Sequence, residues 1–305
     1  MKTSKVFGNL ILLLTSIIWG LAFVFQRTGM DNVGPITFNG VRMASGSVFL
    51  VILSIVFDLK KRKGAQAETQ NDAETAKKRK RATLVGGLLC GFFLTVSSLA
   101  QQMGMVHTTA GKAGFITAMY MLIVPIVNLF LFKKKTSKTV WFAIALGIVG
   151  MYLLCVKENF TLTSGDALIL LCALLFSGHI LCCDKYAPIC DPIKLSAIQF
   201  TVAAVVCLIL AFIFETPTAS GIISAAVPIL YCGIVSGGIG YTLQIIGQKH
   251  TDPATASIIM SFESVFAAIA GALILHETML PQELVGSVIM FAAIILVQLP
   301  DRKKK

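Results

Sequence analysis

Long apolar runs with almost no charge inside them constrain this chain more than any other feature. Each run is about 20 residues long, the length a helix needs to cross a hydrocarbon core of roughly 30 Å. Ten such spans can be read, at 8–26, 36–57, 83–104, 110–132, 139–156, 166–186, 193–214, 221–246, 254–275 and 282–299. Lipid offers the backbone no hydrogen-bond partners, so a spanning segment must be a helix or part of a closed barrel. Barrel strands would show as alternating segments of about ten residues, which these runs are not. The sequence predicts an all-α integral membrane protein with ten transmembrane helices. Only 13% of its 305 residues are charged, against roughly 25% in a soluble domain, and mean hydropathy is +0.82. The first run follows Lys2 and Lys5 as a signal peptide would, but it is long, contains Trp19 and precedes nine more spans. With no small-residue cleavage site after it, it reads as a retained first helix.

Location, rather than a nucleic-acid partner, explains the net charge of +11. With the N-terminus inside, 22 of the 26 basic residues fall in cytoplasmic segments, nine of them between Lys60 and Arg81 and four in the tail Arg302 to Lys305. Arg27, Lys112 and Lys157 fall at or near the other side, and Arg42 falls within a span. The positive-inside rule then places both termini in the cytoplasm, with membrane lipids as surroundings. The 58–81 segment, with "KKRKGAQAETQNDAETAKKRKR" at 60–81, is polar and basic and is expected to be a flexible cytoplasmic loop.

The eight cysteines, at 90, 155, 172, 182, 183, 190, 207 and 232, lie mostly inside spans. There cysteine behaves as a small apolar residue, and 182, 183 and 190 lack a paired CxxC module. No metal site is expected from this spacing.

Sliding the chain against itself reveals a repeat. An offset of 143 aligns Gln101–Ile116 with Gln244–Ile259, with six identities in sixteen, among them Gln101/Gln244, Gly104/Gly247 and His107/His250. At the same offset Tyr120 falls opposite Glu263, and an offset of 157 aligns Pro35 with Pro192 and Arg42 with Gln199. The halves run over about 8–156 and 166–299, as a first repeat within 1–157 and a second within 158–305. Five spans per half is an odd number, so the second half starts from the opposite face and the repeats are inverted. Inverted repeats place a substrate site near the bilayer midplane between the halves and alternate its access. Composition and repeat converge on secondary transport of a small molecule.

Polar groups inside spans carry the chemistry, since an ionisable residue at a helix centre costs roughly 2.5–3.5 kcal/mol on insertion scales. Of 15 acidic residues, Glu263 alone lies deep inside a span, while Asp166 and Glu277 sit near span ends. Glu263 is the candidate proton-coupling or cation-binding carboxylate, because loss of water penalises its charged form. A structural hydrogen bond to a neighbouring helix is the competing role. Arg42, near Asn39, Ser45 and Gly46, suits a carboxylate or phosphate substrate, or equally a backbone carbonyl or an acid at the rim. Lys112, between Gly111 and Gly114 where small residues permit close packing, either snorkels to the interface or faces a cavity. Tyr120 and Asn128 continue along that helix. His179 is the one histidine within a span, and it serves either as a group titrating near pH 6.5 or as an interhelical hydrogen bonder. Trp19 lines a cavity or packs. Gln101, Gln102, Gln199 and Gln244 read as links between helices, with Gln199 the first choice as a cavity contact.

The GxxxxGK[ST] phosphate loop is absent, as are HExxH and GxSxG. "SGGIGY", Ser236 to Tyr241, is glycine-rich but lies in a span. No nucleophile–base set assembles at one depth, so neither enzymatic activity nor a cofactor is expected.

The stretches "IIWGLAFVFQ", "GPITFNGVRMASG", "TTAGKAGFITAMYMLIVPI" and "SFESVFAAIAGALILHETMLPQELVG", in this order and spacing, resemble the drug/metabolite transporter (DMT) superfamily, specifically its bacterial EamA-type members. The resemblance covers the chain apart from 58–81 and the tail. It implies a plasma-membrane exporter or exchanger of amino acids, drugs or other small metabolites, often proton-driven. It also carries over Trp19, Arg42, Lys112, Glu263 and Glu277 as motif residues, with His179 and Gln199. Two departures stand out. Ser264 replaces a proline common after the glutamate, and "KKK" at 133–135 leaves Glu277 without a repeat mate, which favours a structural or gating role for it. Within transport, flipping of a lipid or lipid-linked substrate is the alternative. A membrane enzyme would need a catalytic cluster at one interface, and none is found.

Overall fold

The computed structural model describes residues 2–62, 70–107, 110–133, 136–155, 163–274 and 280–298. Its long helices are α1 (Lys2–Gly29), α2 (Pro35–Arg62) and α3 (Gln70–Gly104). The next two, α4 (Ala110–Ala118) and α5 (Tyr120–Phe132), make up one span, and α6 (Lys138–Cys155) follows. In the second half come α7 (Ser164–Tyr186) and α8 (Pro192–Phe214), then the short α9 (Ala219–Ser224) and α10 (Ala226–Leu230). A π-helical stretch (Tyr231–Gly240) leads into α11 (Tyr241–Gln248). The chain then forms α12 (Pro253–Met260), α13 (Glu263–Ile274) and α14 (Pro281–Gln298). Among the described residues, eight helical segments are long and apolar enough to cross a membrane, while the apolar stretches Lys138–Leu153 and Leu284–Leu296 are shorter. Side chains such as Phe130, Phe212 and Leu273 are more than 70% exposed, an outer face suited to lipid rather than water.

Caps mark where helices begin. Thr163 and Asp166 form a reciprocal capping box at the start of α7, so this buried acid is satisfied at a helix end. Asp191 and Asp252 accept hydrogen bonds from backbone amides in the first turns of α8 and α12, each followed by a proline at the first helical position, where its missing N–H costs nothing.

Two expectations are corrected. The 58–81 segment is largely helical. Residues 58–62 end α2 and 70–81 open α3, and only 63–69 between them lie outside the described residues. Its alanines, lysines, arginines and glutamates are good helix formers, and the Glu74–Lys78 pair (2.9 Å,) adds the i,i+4 spacing that supports an exposed helix. High polarity signalled departure from the membrane, not departure from the helix. The expected spans at 110–132, 221–246 and 254–275 are also not continuous α-helices. The fourth is interrupted at Met119, the eighth runs through α9, α10 and the π-helical stretch, and the ninth turns at Ser261 and Phe262. At both the fourth and ninth spans the backbone tightens into i→i+3 bonds: Met119 N–H to the Ile116 carbonyl, and Ser264 and Val265 N–H to Ser261 and Phe262. The second pieces begin at Tyr120 and at Glu263, the two residues aligned by the 143 offset.

The halves interleave rather than sit side by side. Helix α2 lies along α8, α6 along α14, α3 along α7 and α8, and α1 along α13, α11 and the π-helical stretch. Several contacts occur twice. A Cβ built on Gly104 would sit 2.8 Å from the Gly165 carbonyl oxygen, and one on Gly8 would sit 2.9 Å from that of Gly247. His107 and His250 close these two glycine contacts in the same way, with the Cβ of each 2.8 Å from the Cβ position of Gly165 and Gly8 respectively. Likewise Glu215, after α8, accepts the Ile36 and Thr37 amides at the start of α2 (3.0 and 2.7 Å,). Asp58, 157 residues earlier, pairs with Lys194 at the start of α8 (2.7 Å,).

Candidate functional site

Several of the polar residues that are costly inside spans, Arg42, Tyr120 and Glu263 among them, line one buried space in this interleaved bundle. It is bounded by Trp19, Phe23 and Gln26 of α1, Arg42 of α2, Gln101 of α3, Thr117 and Tyr120 of the broken fourth span, and Glu263 of the broken ninth. Phe176 and Ile180 of α7 with Ser236, Tyr241 and Gln244 complete it around a cavity of about 40 Å³, room for a few water molecules.

At its centre the Tyr120 hydroxyl donates to Glu263 Oε1 at 2.9 Å. Both side chains are buried, at 2% and 4% exposure, and each is the first residue of its half-helix. Among the described residues no basic side chain forms an ion pair with Glu263; the phenol is its hydrogen-bonding partner. Glu263 is the first residue of α13, and at a helix N-terminus the dipole favours negative charge. Ser264 donates to the Ser261 carbonyl through both its hydroxyl (2.9 Å,) and its backbone N–H (3.2 Å,), and the two together hold the turn.

Arg42 is 5% exposed and donates through Nε to Asn39 Oδ1 (3.0 Å,). Asn39 in turn donates to Ser98 Oγ (3.1 Å,), which fixes the orientation of the guanidinium from behind. Trp19 donates its indole N–H to the Ser236 carbonyl (3.2 Å,) and lies 4.8 Å from the Tyr241 ring, so its face forms a wall of the cavity. Gln101 donates to Thr117 Oγ1 (3.2 Å,). The Oε1 of Gln244 and of Gln26 are buried without a hydrogen-bond partner among the described residues. Such orphan acceptors cost of order 1–3 kcal/mol each unless water or a ligand meets them. The space thus presents a carboxyl group, a guanidinium, aromatic faces and amide oxygens.

The structure brings Trp19, Arg42, Tyr120 and Glu263 together and separates others from them. Gln199 does not line this space. Its Oε1 lies 2.8 Å from His179 Nε2, with both side chains fully buried between α7 and α8. Gln101 and Gln244, read from sequence as links between helices, line the wall together with Gln26. Their identity at the 143 offset was the signal that marked them. Tyr241, Gln26 and Thr117 were missed, because a tyrosine closing a glycine-rich run or a glutamine ending an apolar one carries no pattern. The backbone of Lys112 belongs to α4, while its side chain and all of Glu277 lie outside the described residues.

Tyr120→Phe removes the hydroxyl given to Glu263 and keeps the ring. Hydrogen bonds to charged groups contribute about 1.5–3 kcal/mol, so whenever the carboxylate is ionised this variant loses that support. Transport slowed about tenfold or more in Tyr120→Phe proteoliposomes, with expression and elution unchanged, is the expected result; unaltered flux would show the contact to be idle.

An all-helical bundle with broken spans meeting at a buried polar space defines a multi-pass membrane transporter. The sequence profile of the EamA-like transporter family matches residues 6–156 and again 163–299, and the chain belongs to that family, within the drug/metabolite transporter superfamily. An uncharacterized transporter of Archaeoglobus fulgidus is 26% identical over 299 residues, covering 97% of this chain and 87% of that protein. The uncharacterized transporter YoaV of Bacillus subtilis is 23% identical over 288 residues, covering 92% and 93%. A solved crystal structure at 14% identity superposes with a TM-score of 0.73 over 96% of this chain and 98% of that one, a likeness of fold. The membership and the apolar helices fit the plasma membrane.

Proposed function

We propose that this chain is a secondary transporter that exports or exchanges small organic metabolites, such as amino acids or drugs, by alternating access, with Glu263 carrying the coupling proton. The observation that carries this reading is the buried Tyr120–Glu263 pair, held at the breaks of two spans inside a polar cavity. Discontinuous helices around a midplane site are how secondary transporters place a polar site in lipid. In this reading α6 and α14 are the fifth and tenth spans, and the halves are inverted five-helix repeats with both termini cytoplasmic. Support comes from the doubled contacts: two glycine contacts and two acids after one span reaching the start of another, each set spaced by the repeat offsets. The Arg42 guanidinium across from a carboxyl group suits solutes carrying a carboxylate, an amine or both.

The test is a purified protein in proteoliposomes with a trapped pH indicator, screened against amino acids, nucleosides, sugars and cationic drugs. Accumulation of a solute driven by an imposed pH gradient supports the reading. Facilitated flux of every active solute with no proton movement removes the coupling, and no flux of any soluble solute removes the substrate class. In the same assay Lys112→Met is expected to reduce transport of anionic or zwitterionic solutes severalfold and to spare cationic ones, if the amine reaches the cavity from the start of α4. Equal flux for both classes would leave Lys112 as a snorkelling residue at the interface.

One observation favours a second reading. A groove of about 520 Å³ between α4, α6 and α7 is lined by Phe115, Ile116, Met119, Ile148, Val149 and Leu170. Such a flank suits the tail of an amphiphile or lipid. Movement of short-chain fluorescent phospholipids between leaflets, in liposomes that show no uptake of soluble solutes, would favour it.

A further inference from the structure

Where α3 crosses the later part of α7, away from the cavity, three metal-ligating side chains face one another. The Sγ atoms of Cys90 and Cys183 are 3.9 Å apart, and Cys183 Sγ is 3.8 Å from each ring nitrogen of His179. All three ligand atoms lie within 4.8 Å of one another, and all three residues are fully buried. Tetrahedral zinc, with Zn–S of about 2.3 Å and Zn–N of about 2.0–2.1 Å, sets sulfur–sulfur edges of about 3.8 Å and sulfur–nitrogen edges of about 3.5 Å. The closest separations here match those edges to within a few tenths of an ångström.

A second observation concerns the histidine's other side. Gln199 Oε1 stands 2.8 Å from His179 Nε2. If Nε2–H donates to this oxygen, Nδ1 keeps its lone pair and the ring is held in place. Metal-bound histidines are oriented in this way, by a carbonyl or carboxylate that accepts from the second nitrogen. Cys182, adjacent to Cys183 in the chain, packs against the same cluster and adds a third sulfur nearby. None of these residues lines the transport cavity.

Ordinary core packing would also place two cysteines together, so the charge balance matters. We propose that Cys90, His179 and Cys183 form a site for one thiophilic d10 cation; charge balance requires a divalent one, and Zn2+ fits. Binding replaces two S–H bonds with two sulfur–metal bonds and releases two protons to solvent. Two thiolates and one divalent cation leave no net charge, so the occupied site avoids the penalty of an isolated ion in apolar surroundings. The ion ties α3 of the first half to α7 of the second.

The test uses full-length protein in detergent, stripped with a chelator and titrated with Co2+ as a spectroscopic probe. One equivalent of Co2+ is expected to give a sulfur-to-cobalt charge-transfer band and the visible bands of a tetrahedral site, all displaced by Zn2+. Cys90→Ser and Cys183→Ser should each lose the charge-transfer band, Gln199→Leu should bind about tenfold more weakly, and Cys232→Ser, whose thiol lies in a separate cluster, should bind as wild type. A measurement on unaltered protein guards against variants that fail to fold: Zn2+ should protect Cys90 and Cys183 from alkylation, read by mass spectrometry. Absence of the band from wild-type protein, its persistence in either serine variant, or equal alkylation with and without Zn2+ overturns the site.

Discussion

Glu263→Gln protein should insert, fold and still exchange substrate for substrate, yet lose accumulation driven by a pH gradient. The amide keeps the shape of the side chain and offers an oxygen to the Tyr120 hydroxyl, so the 2.9 Å contact survives the change. What disappears is the ability to lose and regain a proton. A transporter whose coupling group is fixed in its neutral form can still cycle with substrate bound on both journeys, but it has no step at which the proton gradient does work. The loss of coupled flux should reach about 100-fold or more, the scale on which a positioned proton-transfer group acts. The measurement is paired: gradient-driven uptake and equilibrium exchange of one solute in the same vesicles. Undiminished coupled uptake by Glu263→Gln would sink the assignment, and loss of exchange along with it would move Glu263 from coupling to substrate binding.

Gly20→Val should strongly destabilise the protein. A Cβ on Gly20 would lie 2.4 Å from Phe266 Cβ, 2.8 Å from the Glu263 carbonyl oxygen and 2.9 Å from the Ala267 nitrogen. These are backbone and Cβ atoms of α13, which cannot rotate out of the way, so α1 and α13 must part. Overpacking of this kind costs typically 1–3 kcal/mol and occasionally more, and the helix displaced here is the one that carries Glu263. A thermal-unfolding midpoint lowered by several degrees, with transport lost even at low temperature, is the expected pair of readouts. Gly114→Ala is the control, because the nearest atom to its added Cβ is Ser264 Cα at 3.9 Å, ordinary contact distance. The close packing expected of Gly114 from its place beside Lys112 is therefore not found at that position. If Gly20→Val unfolds no earlier than Gly114→Ala, the crossing of α1 and α13 is softer than its geometry implies.

How much of this was legible in sequence depended on whether the signal was local. Helical spans, their approximate limits and the cost of a buried acid follow from composition along one segment, so Glu263, Arg42 and Trp19 stood out before any contact was known. Breaks at Met119 and at Ser261–Phe262 were not legible, because neither carries the proline that usually marks an interruption. Position 264, where a proline was looked for, holds a serine. Gln199 aligns with Arg42 at the 157 offset, yet a glutamine lacks the length and charge of a guanidinium, and it meets His179 instead. Cys90, His179 and Cys183 escaped notice for a simpler reason. Metal-ligand spacing is recognisable when ligands share a loop, whereas here Cys90 comes from a different helix, 89 residues before His179.

The hydrogen bond between Tyr120 and Glu263 joins two positions that occupy the same place in the two halves. A residue placed to meet its own counterpart sees only a copy of itself in an assembly of identical units. Two first halves would bring two phenols together; two second halves would bring two carboxyl groups to hydrogen-bond distance, where both cannot ionise at once. One carboxyl group facing one phenol requires halves that differ. A dual-topology dimer of either half alone would lack this mixed pair.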